Sequence, residues 1–377
     1  MVLYFLRLGA IGFGGPVALV GYMHRDLVEE RRWVSQDDYK EGLALAQLAP
    51  GPLAAQLGIY LGYINHGILG ATLTGLAFVL PSFLMVVALG LAYKIYGGLN
   101  WMQAVFYGVG ASVIGIIAHS AYTLTRKTIG KDKLLWLIYL VAAVVTIATE
   151  TETVLLFLGA GILAWLIKEP PTSFKFTRTV CGFIPPFLFP FLIGTPPANN
   201  DTLLRIVSFF AKAGAMVFGS GLAIVPFLYG GVVNEYQWLT VKQFLDAVAV
   251  AMITPGPVVI TVGFIGFLVA GFTGASLAAL ATFLPCYLFT IIPAPYFKKY
   301  GKRPDIAAFV AGVTAAATGA IAGAVIILGR KSISDMPTAL LAIVTVTLLF
   351  RTKKIKEPLI VLAAAILGFV VYPLVHH

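Results

Sequence analysis

A hydrophobic helix broken at Pro-Gly-Pro occurs twice in this chain, 205 positions apart. In the first copy, Trp33 to Gly62, Ser35 and Asp38 read as a capping box that starts a helix near Gln36. Pro50 stops that helix, Gly51 lets the chain turn, and Pro52 suits the first position of a new helix. A helix from Gln36 to Ala49 spans about 21 Å, short of a hydrocarbon core of roughly 30 Å. In the second copy, Trp238 to Phe267, Trp238 falls on Trp33, Thr240 on Ser35, and Asp246 on Glu41. Pro255-Gly256-Pro257 falls on Pro50-Gly51-Pro52, and Gln243 supplies the second capping partner. Irregular backbone at membrane depth is tolerated only inside protein or beside a wet cavity. Paired breaks of this kind mark the substrate site of membrane carriers built from repeats.

The membrane setting follows from composition. Of 377 residues, 59% are hydrophobic and 11% charged, with a mean hydropathy of +0.92. Several apolar runs are long enough for transmembrane helices, so the chain reads as an all-α, polytopic membrane protein. The N-terminus lacks a basic leader and a cleavage site, so it does not read as a signal peptide. The net charge of +10 sits in loops between apolar runs, the pattern of membrane topology rather than of nucleic-acid binding. Cys181 and Cys286 give neither a disulfide framework nor a thiolate metal site. No cofactor or metal is called for.

Apolar runs cover about 1–22, 67–95, 102–125, 134–148 and 153–167, the first interrupted by glycines from Gly12. The expected organisation is a first transmembrane repeat at 1–168, a linker with a proline-rich apolar piece at 169–202, and a second repeat at 203–377. The repeat extends well past the breaks. Gly9 falls on Gly214, Phe13-Gly14 on Phe218-Gly219, and Arg7 on Lys212. After a one-residue gap, Pro81 meets Pro285, Gly115 meets Gly319, and Arg126-Lys127 meets Arg330-Lys331. Matching loops carry unlike charge: Glu150 and Glu152 in one half, Lys353 and Lys354 in the other. By the positive-inside rule those loops lie on opposite sides, so an inverted-topology repeat is expected. Whether 36–62 forms a re-entrant hairpin or one broken span is open, with Arg25, Arg31 and Arg32 favouring the hairpin. Nine to twelve crossings fit these runs.

Taken together, Phe13-Gly14-Gly15-Pro16, the charged Arg25 to Trp33 run, Ala46-Gln47-Leu48-Ala49-Pro50-Gly51-Pro52, Phe218-Gly219-Ser220-Gly221 and Thr254-Pro255-Gly256-Pro257 resemble the chromate transporter family. Both halves carry the likeness, over about 5–165 and 205–370, which is the long two-domain form. Ser220 stands where the family commonly has glycine, and Thr254 has no counterpart to Gln47 before it. The resemblance implies export of chromate, shared with or exchanged for sulfate, across the inner membrane of a prokaryote. The partners it implies are the anion and the lipid bilayer; a homodimer is admitted.

Chromate and sulfate are tetrahedral dianions, costly to strip of water unless donors replace it. Half-helices starting at Pro52 and Pro257 would offer free amides and partial positive charge. Gly14, Gly15, Gly219, Ser220 and Gly221 would add amides where side chains block approach, or serve only close helix packing. Gln47, Gln56, Thr254 and Thr261 flank the breaks as side-chain donors. Arg7 and Lys212 would attract anions or snorkel to the interface. Arg25 would belong to an entry funnel or to a salt-bridged loop with Asp26, Glu29 and Glu30. Glu41 and Asp246 would carry protons or merely favour a helix N-terminus, and His119 would relay protons or hydrogen-bond within the bundle.

An uncoupled anion channel would use the same breaks. An intramembrane enzyme acting on lipid phosphates would need clustered acids, histidines or metal ligands, and five scattered histidines with no HExxH do not supply them. No GxxxxGK[ST] nucleotide loop occurs.

Overall fold

The computed structural model describes residues 1–13, 15–97, 99–149, 154–170, 202–217, 221, 224–300, 303–333, 335–351 and 357–375. Gly14, Gly219, Ser220, Cys181, Glu150, Glu152, Lys353, Lys354 and most of the expected linker lie outside these residues. Among the described residues all regular structure is helical. The first half contains α1 Val2–Ile11, α2 Gly15–Met23, α3 Gln36–Leu48, α4 Leu53–Tyr96, α5 Asn100–Thr128, α6 Lys133–Thr149 and α7 Val154–Lys168. The second contains α8 Thr202–Met216, α9 Ile224–Tyr229, α10 Val241–Ile253, α11 Thr261–Ile291, α12 Ala294–Tyr300, α13 Pro304–Ser332, α14 Met336–Arg351 and α15 Glu357–Val375. Among the described residues, five helices are long and apolar enough to cross a membrane.

The repeat is visible in the backbone. α3 and α10 share their bounds at the 205 offset, and α5 and α13 share theirs at 204. Even local irregularities recur: π turns at His24–Glu30 and Gly230–Glu235, and positive φ at Arg32 and Gln237.

The stretch left open by the sequence is a hairpin. Glu41 and Gly42 on α3 lie beside Tyr60 on α4, at similar distances either side of the Pro-Gly-Pro turn. The two arms therefore run back along each other. α4 then reverses again at His66 (φ −143°) and Gly67 (φ +58°), with Gly62 against Gly70 and Thr74 Oγ1 donating to Gly58 O at 3.2 Å. The second half repeats the reversal at Ala270 and Gly271 (φ +63°), with Gly266 against Gly274. So α4 is a half-length arm, 53–65, of about 20 Å, followed by a spanning arm, 68–96, of about 43 Å. No proline marks these reversals; the backbone there is of a kind that glycine adopts without strain.

The outer helices are exchanged between halves. The Gly108 backbone touches Ala364 and Gly368 on α15, while Gly312 on α13 touches Ala160 and Ala164 on α7. Gly115 lies against Ala342 on α14, and Gly319 against Tyr139 on α6. Thus α6 and α7 pack along the second half's α13, and α14 and α15 along the first half's α5. Small residues let these backbones approach closely. α5 and α13 themselves run antiparallel: Gly110 lies nearest Ser332, and Gly329 nearest Ile114.

Candidate functional site

The two hairpin tips meet across one small void. Gly51 donates its amide to Val217 O at 2.6 Å, and Gly256 donates to Gly12 O at 2.9 Å. Val217 follows α8 as Gly12 follows α1, so each tip is tied to the opposite half. Each tip also rests on the spanning arm of the other half, Gly51 against Cys286 and Gly256 against Ser82.

A void of ≈ 10 Å³ lies between the tips, lined by Pro16, Leu19, Pro52, Leu53, Ala54, Gly221, Gly256, Pro257 and Val258. That is about the room one water needs, and less than a four-oxygen anion fills. Both halves contribute to the lining, and none of the lining side chains is charged. α4 begins at Leu53 with Pro52 as its N-cap and no side-chain cap. Its first amides therefore have no partner within the helix and carry part of a positive end charge of about +0.5. Opposite them, a 3₁₀ turn at Val258–Ile260, likewise without a side-chain cap after Pro257, leads into α11. The start of α4 and the turn after Pro257 thus both line the void, which is too small for an anion.

The structure brings together Pro52, Gly221, Gly256 and Pro257 of the expected site residues, with Gly51 and Pro255 completing the turns behind them. The Gly51 and Gly256 amides are engaged with Val217 and Gly12. The side-chain donors are engaged too: Gln56 Nε2 bonds Pro50 O at 2.8 Å, Thr254 Oγ1 bonds Ala251 O at 3.1 Å, and Thr261 Oγ1 bonds Val258 O at 2.7 Å. Gln56 Oε1 is buried without a partner. Gln47 is exposed on α3, and Gly15 opens α2.

The charged candidates lie away from the void. Arg7 is exposed on α1, and Lys212 is half-buried on α8. Arg25 pairs with Asp26 at 2.8 Å and Glu30 at 3.5 Å, so it belongs to a salt-bridged loop rather than to an open funnel. His119 packs edge-on against Phe350, on the seam between α5 and α14. Glu41 accepts from Tyr60 Oη at 2.8 Å, and Asp246, 3% exposed, accepts from Tyr93 Oη at 2.7 Å. Sequence reasoning missed both tyrosines, although a tyrosine inside an apolar helix normally needs a polar partner for its hydroxyl. Ser82 and Cys286 were missed as well; their signal is that each follows a proline, Pro81 or Pro285, within a spanning arm.

The comparisons agree with this architecture. The chain is 67% identical to a chromate transport protein of Cupriavidus metallidurans, over all of this chain and 94% of that one. It is 65% identical to a probable chromate transport protein of Synechococcus elongatus, over 97% of this chain and 94% of that one. An uncharacterised transporter of Bacillus subtilis is 25% identical over 45% of this chain and 88% of its own length. No solved structure matches. Prokaryotic relatives and apolar helices together make this a multi-pass inner-membrane protein. The sequence profile of chromate transporters matches residues 1–165 and again residues 204–369, and the chain belongs to the chromate transporter family.

Proposed function

We propose that the chain carries chromate out across the inner membrane, with the anion passing between the two hairpin tips near the midplane. It is a transporter rather than an enzyme, as its relatives' names describe. The observation that carries the reading is the void at the tips, lined from both halves and faced by the uncapped start of α4. Two half-helix ends supply roughly one unit of positive charge without any cation of their own. Sulfate shares the shape and charge of chromate, and backbone amides discriminate little between them, so sulfate competes or exchanges. The antiparallel run of α5 and α13 supports an inverted repeat, with each hairpin entering from its own side.

The test is chromate flux in proteoliposomes carrying Gly221→Leu. Gly221 lines the void, and a Cβ there would meet its neighbours at 3.4 Å or more. Alanine should therefore be tolerated, while leucine fills the void and stops flux in a normally assembled protein. Full flux through the leucine variant would move the path away from the tips.

A further inference from the structure

We infer that Asp246 binds the proton that couples transport, held across the boundary between halves by Tyr93. The inference rests on the reading that the chain carries an oxyanion.

Asp246 and Glu41 occupy the same register on α10 and α3, yet their surroundings differ. Glu41 is half-buried, and its partner Tyr60 sits on the other arm of the same hairpin. That contact travels with the hairpin whatever the rest of the molecule does. Asp246 is buried on a helix that is itself buried from Phe244 to Met252, and its partner Tyr93 comes from the spanning arm of the first half. Tyr93 is itself fixed edge-on between Phe106 and Phe264. Neither arrangement can be mirrored, because Tyr93 falls on Phe297 and Tyr60 on Ile265 in the repeat. The asymmetry is written into the side chains.

The groups around Asp246 leave it without an ion pair among the described residues. Lys242, one turn earlier on α10, reaches Gln103 at 3.4 Å. Tyr107 on α5 donates to Asp335, Tyr372 on α15 donates to Gln103, and Glu235 on the preceding π turn lies beside Tyr236. Tyr93 and Lys242 are thus the groups that act on the carboxylate. A buried carboxylate's charge is costly, and Lys242 lies on the same helix and moves with it, so Tyr93 is the partner that a movement of the hairpin can add or remove. A step that carries the second hairpin into or out of contact with Tyr93 therefore changes the proton occupancy of Asp246. The chemistry is a proton passing from water to one carboxylate oxygen and back, while Tyr93 keeps its own proton and donates to the other oxygen.

The experiment is chromate flux in proteoliposomes at clamped voltage, with and without an imposed pH gradient. Wild type should be stimulated by the gradient. Asp246→Asn, the same shape without a titratable group, should keep downhill flux and lose stimulation, and Asp246→Glu should restore it. Glu41→Gln should keep stimulation. Tyr93→Phe tests a positioning residue and should shift the pH profile of flux. Stimulation that persists in Asp246→Asn would overturn the inference. So would joint loss of downhill flux and stimulation, which marks a structural role, or wild-type flux indifferent to the gradient, which leaves a chromate carrier of another kind. Wild type with no chromate flux would sink the transport reading and the coupling with it.

Discussion

The amide of Gly51 donates to the carbonyl of Val217 across the boundary between halves, at 2.6 Å. Gly256 and Gly12 make the reciprocal bond at 2.9 Å. Each hairpin tip is thereby positioned by the half to which it does not belong.

The turn geometry makes Gly256 the less replaceable residue in terms of space. Its φ is +98°, and an added Cβ would lie 2.0 Å from Ser82 Oγ. Gly256→Ala should destabilise the protein by about 1–3 kcal/mol, the usual range for an L residue held in such a conformation. Melting in detergent measures it. Adding Ser82→Gly should recover the steric share and leave the backbone share.

Helix α10 begins with a complete capping box, Thr240 accepting from Gln243 N while Gln243 Oε1 accepts from Thr240 N at 2.9 Å. Thr240→Ala should cost about 1 kcal/mol in stability, and Thr240→Ser should restore nearly all of it. Denaturation in mixed micelles at matched protein concentration reads the difference.

The exchanged outer helices predict how the protein behaves when cut. Residues 1–170 and 202–377, expressed as separate chains in one cell, should co-purify as a complex. Either piece alone should be degraded, because α6 and α7 lose α13, and α14 and α15 lose α5. Stable single halves in the membrane fraction would contradict the exchange.

Outside the spanning helices, Lys168 forms an ion pair with Asp132 and holds that carboxyl below its ordinary range. A depressed folded value contributes stability above the unfolded carboxylate value and loses it as pH falls through the folded value. Both side chains are about a third exposed, so solvent screening limits the contribution to no more than about 1 kcal/mol. Asp132→Asn should lower the melting temperature slightly at neutral pH and not at strongly acid pH, and added salt should shrink the effect.

Much of this architecture could be read from residues. The Pro-Gly-Pro breaks, the capping residues and the bounds of α5, α6 and α7 all follow from local chemistry. The reversals at Gly67 and Gly271 did not show, because a lone glycine in an apolar run reads equally as packing. The exchange of outer helices was also hidden: a repeat says which helices are equivalent, not which copy each one packs against. At the site, Gln56, Thr254 and Thr261 look like donors in sequence, yet their hydrogens go to nearby carbonyls, as burial away from water demands. Asp246 could be picked out as a buried acid, but Tyr93, 153 positions away, could not.

Because the outer helices are interlocked, the halves cannot rock apart as rigid blocks; such a motion would pull α7 off α13 and α15 off α5 together. Opening to one side of the bilayer must be carried by smaller units moving within a fixed frame. The half-length arms suit this, since each joins the frame at a glycine, Gly67 or Gly271, whose surroundings would leave room even for a side chain.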